Sequence, residues 1–133
     1  DPQVYYVGFA TGGIWKTKNN GVTYDRIFDT YSTHSIGDIA IAPSNPDIVW
    51  IAHSCAGRLF KSTNATQGSP SWTEVTTFPA AALYRSKTAI TIDPANPDVV
   101  WIGLGAYQSA TLFRTTDGGA TWATQFDGLY ARK

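Results

Sequence analysis

The chain has 133 residues, the length of one ordinary domain, and can bury roughly two-thirds of its unfolded surface. Ten basic and ten acidic side chains are scattered singly and sum to no net charge, so no basic stripe invites nucleic acid or an anionic membrane. A lone Cys55 leaves no internal disulfide and no cysteine-based zinc site, and no apolar run approaches the roughly 20 residues of a membrane helix.

Aromatic, Thr, Ile and Val residues recur, and no long segment carries a helical period, which predicts strands almost throughout. Nothing at Asp1-Pro2-Gln3-Val4 reads as a secretory leader, so an exported form is expected to be the processed one. Strands are expected near residues 4–9, 13–17 and 23–28, then 36–42, 48–53, 58–63 and 71–77, then 87–93, 99–104, 111–116 and 121–126.

Two phrases repeat along this order. The first is a turn followed by an apolar strand: Asn45-Pro46-Asp47-Ile48-Val49-Trp50-Ile51 and Asn96-Pro97-Asp98-Val99-Val100-Trp101-Ile102, with Asp1-Pro2-Gln3-Val4-Tyr5-Tyr6-Val7 as a third tail. Proline interrupts a ladder because its φ is fixed and it has no N–H. The second phrase is a hairpin, clearest at Thr115-Thr116-Asp117-Gly118-Gly119-Ala120-Thr121-Trp122. It occurs without a gap at residues 16–24, around Asn19 and Gly21 and ending on Tyr24. A third copy, from Asn64 to Trp72, carries an insertion of about three residues. Gly pairs suit φ > 0, and an Asx side chain accepts hydrogen bonds from its own turn.

A unit of four short antiparallel strands recurring about every 45 to 52 residues is the pattern of a propeller blade. The fold class read from this pattern is all-β, with a partial first blade over residues 1–29, a second over 36–78 and a third over 87–127. About two and three-quarter blades do not close a ring. The expected partners are therefore the remaining blades, on another chain or on copies of this one.

The hairpin phrase Ser/Thr-x-Asp-x-Gly-x-Thr-Trp resembles the Asp-box, or BNR repeat, and the Asn-Pro-Asp-x-Val-Trp-Ile phrases resemble what precedes that box in sortilin-type and xyloglucanase-type propellers. The resemblance implies an extracellular location. It is specific for the fold and unspecific for the activity.

In an up-and-down meander the Pro-rich turns and the Asp-boxes share one face, while the remaining loops share the other. Because the boxes repeat, Asn19, Gly21, Asn64, Asp117 and Gly119 read as turn-forming residues, and Tyr24, Trp72 and Trp122 as core aromatics. The irregular loops gather Tyr31, His34, His53, Tyr84, Arg85, Tyr107 and Gln108, a mixture of rings and hydrogen-bonding groups suited to a sugar or a protein segment. Single residues of this kind are also ordinary solvated loop residues.

Asp38 is the acid that breaks the repeat, aligning with Ala89, and it is the candidate catalytic carboxylate, with Asp29 a poor second. A glycosidase needs two carboxylates roughly 5 to 10 Å apart, so the partner acid would lie on another blade. The alternative is that Asp38 caps a turn or pairs with Arg85 or Lys87. No metal-ligand spacing and no phosphate loop is present, so no cofactor is expected. Asn64-Ala65-Thr66 is a glycosylation sequon on a loop. Three functions remain: a non-catalytic extracellular scaffold that binds carbohydrate or protein, a fragment of a xyloglucanase-like glycoside hydrolase, and, as the resemblance to sortilin-type propellers implies, a receptor-like peptide-binding propeller.

Overall fold

A computed structural model describes residues 2–28, 35–55, 57–105 and 112–125. These form eleven strands and, among the described residues, no helix long and apolar enough to cross a membrane. The first sheet holds β1 (Tyr5–Phe9), β2 (Gly13–Thr17) and β3 (Asp25–Phe28). The second holds β4 (Ile36–Ile41), β5 (Val49–His53), β6 (Leu59–Ser62) and β7 (Thr73–Glu74). The third holds β8 (Lys87–Ile92), β9 (Val100–Leu104), β10 (Leu112–Thr115) and β11 (Ala123–Thr124). Every pairing is antiparallel and joins chain neighbours, so each sheet is a meander. This is the all-β, blade-like architecture that the repeat predicts.

The outermost strands fall short of expectation: β7 and β11 are two residues each. An outermost strand has a ladder partner on one side only. One further bond extends each, from the Val75 amide to the Leu59 carbonyl at 2.8 Å and from the Gln125 amide to the Leu112 carbonyl at 2.9 Å.

The sheets stack through two apolar seams. Ile14 and Phe28 of the first sheet meet Ile51 and Phe60 of the second. Trp50, Ala52 and Leu59 of the second, with Phe78 and Ala82, meet Ile90, Ile92, Val100, Ile102 and Phe113 of the third. Side chains alternate across a strand, so Trp50 and Ala52 serve one seam while Ile51 serves the other. All five residues of β5 are buried as a result, which is why its sequence is an unbroken apolar run. The first strands of the sheets lie side by side, with β4 between β1 and β8. Both β4 and β8 carry a register shift near their start, between Ile36 and Asp38 and between Lys87 and Ala89.

Three turns are built alike. The Thr17, Ser62 and Thr115 hydroxyls donate to the side-chain oxygens of Asn19, Asn64 and Asp117 at 3.0, 3.0 and 2.7 Å. Those oxygens in turn accept the amides of Thr23, Ser71 and Thr121, each at 2.9 Å. The Ser71 amide takes the place of residue 68 because the inserted residues bulge out between Asn64 and Ser71. One residue past each Asx, the amides of Asn20, Ala65 and Gly118 donate to the carbonyls of Gln3, Asp47 and Asp98 at 3.0 Å. Each hairpin is thereby tied to the Pro-containing turn, so both repeated phrases share one face.

The aromatic that ends each hairpin reaches back to the preceding sheet. Trp72 Nε1 donates to the Ile27 carbonyl at 2.9 Å, and Trp122 Nε1 donates to Thr77 Oγ1 at 3.3 Å. Tyr24 departs from its expected core position. It is 41% exposed, and its hydroxyl meets that of Tyr5 at 2.9 Å.

Candidate functional site

Asp38 enters the site from β4, directly after the register shift. A bulge re-aims the side chain that follows it. Its carboxylate lies half-buried beside a hollow of about 260 Å³ lined by Gly8, Ile36, Gly37 and Ile39. Oδ1 accepts the Ile39 amide and Oδ2 accepts the Ile90 amide, both at 2.8 Å. Ile90 belongs to β8, so one carboxylate clips the first strand of the second sheet to that of the third. Each oxygen therefore already holds one backbone N–H, the geometry of a tie between strands. Of the other described acids, Asp47, Asp93 and Asp117 have their carboxylates engaged at the opposite, repeated turns, and Glu74 grips Arg58 through two bonds of 2.8 and 2.6 Å.

Lys87 does not pair with Asp38. It is fully buried at the start of β8, and its ammonium donates to the carbonyls of Leu83 at 2.7 Å, Arg85 at 3.2 Å and Ala82 at 3.3 Å. It also donates to the Gly57 carbonyl and lies 4.7 Å from the centre of the Phe78 ring. Burial, with the Arg85 charge nearby, lowers its pKa to about 8. One ammonium thus pins two irregular loops, the one at 54–58 and the one at 79–86. Gly57 sits with φ of 62° so close to the Tyr84 and Arg85 backbone that no side chain fits there. From the sequence alone Lys87 reads only as a partner for Asp38. The available signal was a cation at a position where the second unit has Ile36.

Tyr84 stands 71% exposed on the loop pinned by Lys87, with Arg85 beside it and half-buried. These two candidate ligand residues are neighbours on one organised loop. His53 is not with them. It is the last residue of β5, fully buried, and packs edge-on to Phe28 at 5.5 Å and against Phe60 at 5.2 Å. It shares the face of Ile51, two residues earlier, so strand alternation turns its ring into the seam rather than out to a ligand. Tyr31, His34, Tyr107, Gln108 and Asp29 lie outside the described residues. Cys55 is exposed with a free thiol, and among the described residues no group of three His, Cys, Asp or Glu is placed to hold a metal ion.

The fold and the turn geometry define a β-propeller-like stack of blades, and comparison with known proteins agrees. No family model matches the chain. A Neosartorya fischeri protein named "Probable oligoxyloglucan-reducing end-specific xyloglucanase" is 35% identical over 85 residues, which is 63% of this chain and 10% of that protein. Among solved structures, an ancestral GH74 enzyme superposes with a TM-score of 0.70 at 21% identity, over 92% of this chain and 17% of the other. The GH74 xyloglucanase from Xanthomonas campestris gives 0.69 at 17% identity, over 93% and 22%. A structure of YCF48 bound to D1 peptide gives 0.67 at 15% identity, over 92% and 37%. The chain thus spans about a tenth of the curated relative and well under half of each of these structures. At these identities the structural likeness defines the fold.

Proposed function

We propose that this chain is a non-catalytic propeller segment of the Asp-box type, extracellular, whose irregular face presents Tyr84 and Arg85 to a β-glucan of the xyloglucan class. The observation that carries the non-catalytic reading is the double engagement of Asp38 by the Ile39 and Ile90 amides. The glycan class follows from the relative named for xyloglucan, and an exposed phenol next to a guanidinium suits a sugar ring and its hydroxyls. Tyr31, His34, Tyr107 and Gln108 belong to the same proposed face by their place in the sequence.

Titration calorimetry with xyloglucan oligosaccharides, alongside a reducing-end assay, tests this. Binding without hydrolysis is expected, weakened several-fold in Tyr84→Ala, while Asp38→Asn keeps the affinity and melts at a lower temperature. Turnover abolished by Asp38→Asn would overturn the non-catalytic reading; the second reading, in which Asp38 is one acid of a xyloglucanase-like hydrolase and the other comes from a blade outside this chain, leaves the chain alone inactive and predicts a second acid facing Asp38 across a cleft in the assembled ring. That reading is favoured by the 35% identity to a protein named as a xyloglucanase. A peptide ligand, as in sortilin-type propellers, predicts affinity for peptide libraries and none for glycans.

A further inference from the structure

The start of β8 departs from the repeat. Ile36 and Lys87 hold the same place, the first residue of the first strand of a sheet, with a register shift directly after it. Ile36 is half-buried and packs against the seam of the first and second sheets. An ammonium in that place loses its hydration, and burial without a carboxylate is tolerated only where other dipoles replace the water. Four main-chain carbonyls do so, those of Gly57, Ala82, Leu83 and Arg85, and the Phe78 ring closes the cage at 4.7 Å. Every member of this cage lies between β5 and β8 in the chain.

The cage sets the direction of Tyr84. The Leu83 and Arg85 carbonyls bracket that residue, and both turn inward to one ammonium, at 2.7 and 3.2 Å. The residue between them is left facing outward, with 71% of its surface exposed. The same backbone rests against Gly57, where a Cβ would overlap the Tyr84 carbonyl and the Arg85 oxygen. Bonds inside the loop, from the Ala82 amide to the Pro79 carbonyl at 2.8 Å and from the Arg85 amide to the Ala82 carbonyl at 3.2 Å, curl it on itself. The ammonium adds what those bonds do not supply, a tie from this loop to the neighbouring one at Gly57. Order that a ligand would otherwise have to impose is complete before it arrives.

We propose that Lys87 is the positioning residue of the ligand face: its charge fixes the Tyr84–Arg85 loop against the loop at Gly57 and so preforms the surface that meets the ligand. The proposal rests on the reading that Tyr84 and Arg85 meet a β-glucan. Lys87 itself touches no ligand, since it is fully buried beneath the loop it holds. Its cage has the chemistry of a cation site made of carbonyl oxygens, to which the cation is tethered by its own side chain. The tether is dispensable and the charge is not. A free alkylammonium ion of the same charge therefore replaces the side chain once it is removed.

Hydrogen exchange across residues 80–86, read by mass spectrometry, and calorimetry with xyloglucan oligosaccharides test this, with melting temperature as the check on folding. In Lys87→Ala, exchange in the loop is expected to quicken about tenfold or more while β5 and β9 stay protected, and glycan affinity to fall by about tenfold. Propylammonium chloride, but not sodium chloride at equal ionic strength, is expected to restore both in Lys87→Ala and to leave the wild type unchanged. Gly57→Ala displaces the same backbone without touching the ammonium. It is expected to quicken exchange and weaken binding with no response to propylammonium. Loop exchange unchanged in both folded variants, quickened exchange with glycan affinity unchanged, or Lys87→Ala indifferent to propylammonium would each overturn the proposal. Quickened and rescued exchange in a chain whose wild type binds no glycan would uphold the positioning role and overturn the glycan reading instead.

Discussion

Lys87 is charged, buried and surrounded by carbonyl oxygens instead of carboxylates. Because burial lowers its pKa to about 8, against about 10.4 in an unfolded chain, the unfolded state binds more protons between those values. Stability should therefore rise as the pH increases through that window. The check is urea unfolding at pH 7, 8.5 and 10 on the wild type and on Lys87→Met. The variant should lose the rise, and at pH 7 it should be less stable by about 2 kcal/mol, since several buried carbonyls lose their donor. The cage was not legible in the sequence because it is made of main-chain oxygens, which carry no side-chain signature. His53 is different. Alternation with Ile51 places it in the seam, because period two holds to the last residue of the strand.

The Asx turns set the geometry of the hairpins. Asp117 accepts the Thr121 hydroxyl and amide and the Thr115 hydroxyl, and these bonds hold its pKa down at about 2. Its contribution to stability is complete above about pH 4, the ordinary carboxylate range, and is lost as the pH falls towards 2. Asp117→Asn, matching Asn19 and Asn64, should flatten the acid limb of a melting-temperature profile between those values. Gly119 has φ of 96°, and a side chain there would begin 2.7 Å from the Trp50 ring. Gly119→Ala is therefore expected to cost about 1–3 kcal/mol, read by chemical denaturation, through left-handed strain and a pushed indole. Strand positions and turns were legible because each is written in local sequence and repeated. The two-residue lengths of β7 and β11 were not, since pairing on a single side is a property of the assembled sheet.

Across the whole molecule, stability resides in the seams rather than in any one sheet. Trp50 is fully buried between the second and third sheets, where its ring meets Trp122 edge-on at 6.0 Å. Trp50→Ala is expected to cost about 3–5 kcal/mol and to lower the melting temperature of the whole chain in one transition. The stacking of blades was foreseen from the repeat. The latch that joins them, Lys16 Nζ donating to the Ala65 carbonyl at 2.7 Å and Lys61 Nζ donating to the Gly118 carbonyl at 3.0 Å, was not, because its cation and its acceptor lie 49 residues apart in one seam and 57 in the other.

That latch has a consequence for how such a chain can change over time. The acceptor is a main-chain carbonyl, offered by alanine in one seam and glycine in the other. A turn can drift in sequence and still be recognised, provided its backbone keeps its path. Units joined in this way are interchangeable parts, and a unit can be duplicated or dropped without any new contact having to be invented. A fold held in this way keeps its shape where the letters differ, as a superposition over 92% of the chain at 21% identity illustrates.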